Sequence, residues 1–189
     1  MKYLLRTGKV IALLILTVVI AGCTGYQNGT LMNPNYKTIA IAPIQNNTME
    51  SLASTYLRKL AAEQFLVDGS LRVVKAQDAD CILYITIDEV EVTSASYDST
   101  DNEDNYRPAE WSMRMDARFI VIVPGQSQPL VWNGSKLRTG RDIIDLGRKV
   151  SGTSRFAVTV DQHAARRSGL ELLCLDIAQE IVEYTTEGW

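Results

Sequence analysis

The stretch that most restricts the fold is "WSMRMDARFIVIV", residues 111–123. Trp111, Met113, Met115, Ala117, Phe119, Val121 and Val123 alternate with Ser112, Arg114, Asp116 and Arg118. Alternation with a period of two puts every apolar side chain on one face of an extended chain and on no single face of a helix. The stretch is therefore expected to be a strand with one buried and one wet face. Thirteen residues at about 3.3 Å each reach about 43 Å. That exceeds what one small core needs, so part of the strand should project beyond it.

A second long strand is expected over Cys81–Val92. Cys81, Leu83, Ile85 and Ile87 share one apolar phase, whereas Val90 and Val92 fall on the other. A strand changes phase only through a bulge, a twist or a change of surroundings, and a bulge is expected near Asp88-Glu89. Thr38–Ile44 reads as a further strand ended by Pro43, and Leu71–Val74 as a short one followed by the turn "AQDAD". Between them, the pair Asn47-x-x-Glu50 has the spacing of a capping box. Leu52, Ala53, Tyr56, Leu57, Leu60, Ala61, Gln64 and Phe65 then follow at helical intervals up to the stop Asp68-Gly69.

Ser94–Pro108 carries few apolar residues and many turn formers and reads as a long exposed loop. "PGQSQP" (124–129) suits a hairpin connection to a strand over Leu130–Leu137. Residues 138–160, with Gly140, Gly147 and Gly152, read as loop with a short strand at Phe156–Val160. Leu170, Leu173, Cys174, Ile177, Ile181 and Tyr184 make one helical stripe near the end. The order of elements defines an α+β fold, with two helices packed on one face of a mixed, largely antiparallel sheet.

The N-terminus sets compartment and domain limits. Lys2, Arg6 and Lys9 precede an uncharged apolar run, Val10–Ala21, laid out as a signal peptide. Its twelve residues would rise only about 18 Å as a helix, against a hydrocarbon core of about 30 Å. Ile20-Ala21-Gly22-Cys23 resembles the bacterial lipobox, in which Cys23 becomes the diacylated and N-acylated first residue; Ile20 replaces the commoner leucine. The expected organisation is a cleaved leader over 1–22, a Gly/Asn-rich lipidated tether over 23–37 and one domain over 38–189. Thr24 is not the Asp that the lipoprotein sorting rule disfavours for the outer membrane, so the outer membrane, periplasmic face, is the expected site.

Losing Lys2, Arg6 and Lys9 with the leader takes the formal charge from −3 to −6, and nothing global suggests nucleic-acid binding. The charge is uneven. Residues 78–110 hold ten acids against Arg107 alone, whereas Lys136, Arg138, Arg141, Arg148, Lys149, Arg155, Arg166 and Arg167 face only Asp142, Asp145 and Asp161. The basic stretch is either an anion-binding surface or solvated loop charge. Cys81 and Cys174 each belong to an apolar face; in an oxidising compartment a disulfide between them is chemically permitted, and two buried thiols are the commoner outcome.

Catalytic groups are not evident. His163 stands alone, without metal-ligand spacing, and suits a solvated or capping role. No nucleophile elbow or phosphate loop is present. The oxygen-rich "DSTDNEDN" lacks the glycine and terminal glutamate of a calcium loop. No enzyme activity, cofactor or metal is expected.

Several stretches together resemble the LptE family of lipopolysaccharide-assembly lipoproteins. They are "GCTGYQNGTLMNPNYKTIAIAPIQNNT", "EQFLVDGSLRVV", "DADCILYITIDEVEV", "MRMDARFIVIV" and "LELLCLDIAQEIVEYTTEGW". The resemblance implies a lipid-anchored protein that plugs an LptD-like outer-membrane β-barrel, helps it assemble and supports delivery of lipopolysaccharide to the outer leaflet. Lys136, Arg138, Arg141, Arg148, Lys149 and Arg155 are candidate contacts to lipopolysaccharide, chosen for charge clustering. The competing class is a periplasm-facing scaffold or regulator of envelope assembly, such as a cell-wall synthase activator or a TolB-like partner.

Overall fold

The computed structural model describes residues 36–99, 106–126, 128–134, 146–157 and 161–187. The chain divides into two units, Met1–Thr30 and Leu31–Trp189, and every element below belongs to the second.

Strand β1 (Thr38–Ile41) is buried at all four positions because it lies between two parallel neighbours, β3 (Arg72–Val73) and β4 (Cys81–Ser99). Past Pro43 the chain rejoins the same edge of β4 as β2 (Gln45–Asn46), parallel to Thr86 and Ile87. Helix α1 (Ala53–Asp68) crosses back over the sheet. Its stop is as the sequence implied: Gly69 takes φ 74° and its amide donates to the Phe65 carbonyl, a conformation that a residue with a Cβ seldom adopts. Its start differs. Leu52 occupies the cap with no side-chain bond. Asn46 organises the preceding turn instead, its Oδ1 accepting from the Thr48 amide and hydroxyl while its Nδ2 donates to the Glu50 carbonyl. The Glu50 carboxylate is not a helix cap because it pairs with Arg166.

β4 and β5 (Tyr106–Ile122) form an antiparallel ribbon, and β6 (Arg148–Ala157) adds to the far side of β5. The sheet order is β3-β1-β4-β5-β6, with β2 beside β4. The bulge is present: Ile87 pairs with Ala117 and Glu89 with Asp116, leaving Asp88 as the extra residue. Directly opposed residues share a face, so Val90 opposite Met115 and Val92 opposite Met113 are returned to the side that Leu83, Ile85 and Ile87 occupy. Asp88 itself turns out to clasp Arg118 through two bonds of 2.6 and 2.7 Å.

Helix α2 (Gln162–Thr186) and α1 cover that face and contact each other. Ile39, Leu57, Phe65, Leu83, Ile85, Ile87, Met113, Phe119, Leu173, Ile177 and Ile181 lie in one continuous core. The α+β class with two helices on one face of a mixed, mainly antiparallel sheet is thus observed.

Two expected loops are corrected. Most of 94–108 is strand: Ser94 pairs with Trp111, Tyr97 with Pro108 and Ser99 with Tyr106. Cross-strand pairing satisfies the inward backbone groups of this ribbon whatever its side chains, and its register slips beside Pro108, which has no N–H to offer. The strand expected at Phe156–Val160 starts eight residues too late: β6 begins at Arg148 and runs to Ala157, and residues 158–160 lie outside the described residues. Gly152 lies within it because α2 passes so close that an added Cβ would stand 2.9 Å from Asp176 Oδ2 and 3.1 Å from Leu173 Cδ1. Of the strand expected at Leu130–Leu137, the described part forms one bridge, Val131 to Val121; residues 135–137 lie outside the described residues.

Candidate functional site

The sheet has two unlike faces above the bulge. Toward the helices stand Val90, Val92, Trp111, Met113, Met115 and Phe156; on the other face, register rows bring Glu89, Asp116 and Ser151 together, then Glu91, Arg114 and Thr153, then Thr93, Ser112 and Arg155. This outer face is a continuous polar surface laced by Arg118–Asp88 and Arg114–Asp116 ion pairs. At its foot is a cleft of about 390 Å³ lined by Asp88, Arg114, Asp116, Lys149 and Glu180. Burial pushes the Glu180 carboxyl upward and Asp176 adds to it, while a backbone bond at Ser151 and the Arg148 charge pull the other way.

Adjacent residues on β6 face opposite sides, and this divides the basic candidates. Arg148 opposes Phe119 on the helix side. Its guanidinium lies 3.5 Å from the ring centroid of Tyr184, which stacks on Phe119. Lys149 and Arg155 are exposed on the polar face, about 20 Å apart at 3.3 Å per residue. Lys136, Arg138 and Arg141 lie outside the described residues, as does Cys23. The structure therefore brings Lys149 and Arg155 to one surface and commits Arg148 to an aromatic stack.

Cys81 and Cys174 are buried free thiols, so the permitted disulfide is not formed. Each sulfur has its own carbonyl acceptor, Thr38 O at 3.4 Å and Ala53 O at 3.7 Å. Burial pushes both thiols up to about 12, helped by Asp80 at Cys81 and by Glu171 at Cys174. Burial and the raised pKa both disfavour the thiolate, the reactive form of either cysteine.

His163 sits in the first turn of α2, whose cap is Asp161, accepting from the Ala164 amide at 3.0 Å. With Val92, Trp111, Phe156 and Arg166 it lines a recess of about 170 Å³. Among the described residues no cluster of His, Cys, Asp or Glu could hold a metal ion. No described helix is long and apolar enough to cross a membrane.

Asp80 was not singled out by sequence reasoning. Its Oδ2 accepts from the Lys37 amide, the Thr38 amide and the Thr38 hydroxyl, all within 2.9 Å, and these bonds hold its carboxyl below the ordinary carboxylate range. The residue locks the first strand to the start of β4. Only the contact of two strand ends distant in sequence reveals it; within "DADC" it reads as a turn acid.

The fold and its surfaces define a class: an α+β domain whose long ribbon presents a polar face above the bulge. The sequence model for LptE, described as Lipopolysaccharide-assembly, matches residues 36–185. The chain belongs to the LptE family. No curated protein matches the sequence. Among solved structures, protein XCC0632 from Xanthomonas campestris is similar in fold, with TM-score 0.54 and 12% identity over 82% of this chain and 88% of that one. The rare lipoprotein B from Shewanella oneidensis aligns with TM-score 0.39 and 16% identity over 77% and 89% of the two chains.

Proposed function

We propose that this member of the lipopolysaccharide-assembly family is an outer-membrane lipoprotein, acylated at Cys23 and facing the periplasm, that seats its ribbon inside an LptD-like β-barrel. There it supports barrel assembly and delivery of lipopolysaccharide, by binding and without catalysis. The observation that carries the reading is the β4–β5–β6 ribbon. From the Thr86–Arg118 row to the Thr93–Ser112–Arg155 row its outer face is polar, with charges interleaved in sign. Such a face suits the wet lumen of a barrel and would be costly against lipid.

Lys149 and Arg155 on that face, with Lys136, Arg138 and Arg141, are the residues we assign to the phosphates of lipopolysaccharide, since charged donors bind phosphate through short, charge-assisted bonds. The test is affinity purification of the full chain from its own envelope. An outer-membrane barrel recovered in stoichiometric amount is the expected result. A peptidoglycan synthase recovered without a barrel would replace this reading with the scaffold or regulator class. Reversal of Arg138 and Arg141 to Glu is expected to weaken binding to purified lipopolysaccharide while the barrel complex persists; unchanged binding removes those charges from the site.

A further inference from the structure

At one end of the helix layer the fold leaves apolar side chains in water. The buried stripe of α1 runs through Leu57, Leu60, Ala61 and Phe65, so the next two residues are rotated about 100° and 200° away from the sheet. Leu66 is 81% and Val67 79% exposed. Val73 is 38% exposed because β3 is the last strand of the sheet on that side. Phe65, Leu66, Leu71, Arg72 and Val73 line one groove of about 350 Å³ between helix and edge strand.

This is also the end at which the N-terminal segment joins the domain. Thr38 pairs with Arg72, and the Arg72 amide donates to the Lys37 carbonyl at 3.0 Å. Cys23 precedes Lys37 by 14 residues, so whatever its conformation that stretch keeps the anchor within about 50 Å of this end. Lys37, Arg72 and Lys75 are exposed around the groove. Of the carboxylates nearby, Asp68 accepts the Ser70 amide and Asp80 the amides of Lys37 and Thr38, while Asp78 is exposed.

We propose that Leu66, Val67 and Val73 form a bilayer-contacting surface that seats this end of the domain at the phospholipid headgroup boundary of the leaflet holding the anchor. The inference rests on acylation of Cys23, as in the proposed function. The anchor brings the leaflet within reach of this end, the apolar side chains enter the boundary region, and Lys37, Arg72 and Lys75 meet lipid phosphates. The contact fixes the direction in which the opposite, ribbon end points.

The test uses the full acylated chain in vesicles of phosphatidylethanolamine and phosphatidylglycerol. Leu66→Cys and, separately, Met49→Cys carry a fluorophore, with Val67→Cys as a second reporter if Leu66→Cys folds poorly. Met49 is fully exposed but precedes α1, about a 24 Å helix length from Leu66's end of it. Cys81 and Cys174 are buried and stay unlabelled. Flotation first reports anchoring. Nitroxide placed at the lipid headgroup is then expected to quench the position-66 label several-fold more than the position-49 label.

Floating protein with equal quenching at both positions overturns the inference and leaves acylation standing. Protein that does not float overturns both. Shielding of the position-66 label in detergent that grows with protein concentration assigns the surface to a second copy and also overturns it. Shielding that requires added barrel assigns it to that partner, with the same consequence.

Discussion

Replacing Gly152 with Ala probes the closest approach of helix to sheet. The new Cβ would stand 2.9 Å from Asp176 Oδ2 and 3.1 Å from both Ile177 Cγ1 and Leu173 Cδ1. Leu173 and Ile177 are fully buried, so they have little room to withdraw. Overpacking of this kind costs about 1–3 kcal/mol, offset by roughly 0.5 kcal/mol from the reduced freedom of the unfolded chain. The expected net loss is about 1–2 kcal/mol, a fall of roughly 3–8 °C in Tm for a domain of this size. Circular dichroism melts and urea titration measure it, with Ser151→Ala, on the exposed face of the same strand, expected to stay within about 0.5 kcal/mol of the parent. Asp176→Ala removes the nearest atom, so in the double variant part of the loss should return as a coupling of about 0.5–1 kcal/mol. A Gly152→Ala chain as stable as the parent would refute the close helix–strand contact and restore Gly152 to a turn residue.

Three further outcomes are expected. Deleting Asp88 should leave Val90 and Val92 on the helix side, now in plain alternation with Ile87, and strip Arg118 of its clasp, giving a folded chain of lower Tm with a native near-ultraviolet circular dichroism spectrum; insoluble or molten protein would contradict the place of Asp88 as the extra residue. Cys81 and Cys174 should resist iodoacetamide at pH 8 until the chain is unfolded. Their folded pKa is raised from 9.0 to about 12, so their stabilising effect is complete below about pH 9 and is lost as pH rises toward about 12; urea midpoints should show that slope diminished in a Cys81→Ala, Cys174→Ala chain. Asp80 is depressed below its ordinary 3.8, so its contribution is present above that value and lost as pH falls through the lower folded value. Asp80→Asn should therefore melt below the parent at neutral pH and converge with it in acid.

The residues show why some of this was legible in sequence and some was not. The bulge is legible because burial forces alternation, and a bulge is one of the few ways a continuous strand can restore it after Ile87. The inward faces of Cys81 and Cys174 are legible for the same reason. The outer part of the ribbon is not, because backbone pairing holds Ser94–Ser99 extended whatever the polarity of its side chains. β6 is hidden by Gly152, whose small size serves packing against α2 where composition suggests a turn. Missing β6 also hides the surface: once Arg148 and Lys149 are on a strand, alternation alone sends one to the Tyr184 ring and the other to the polar face. The Asp80 lock and the Leu66–Val73 groove join segments that only the sheet order brings together.

Depletion of this protein, with surface lipopolysaccharide as the readout, tests the central claim most directly. The account predicts that lipopolysaccharide disappears from the outer leaflet and accumulates inside, with the barrel left unassembled. Undiminished surface lipopolysaccharide and a mature barrel after full depletion would contradict it.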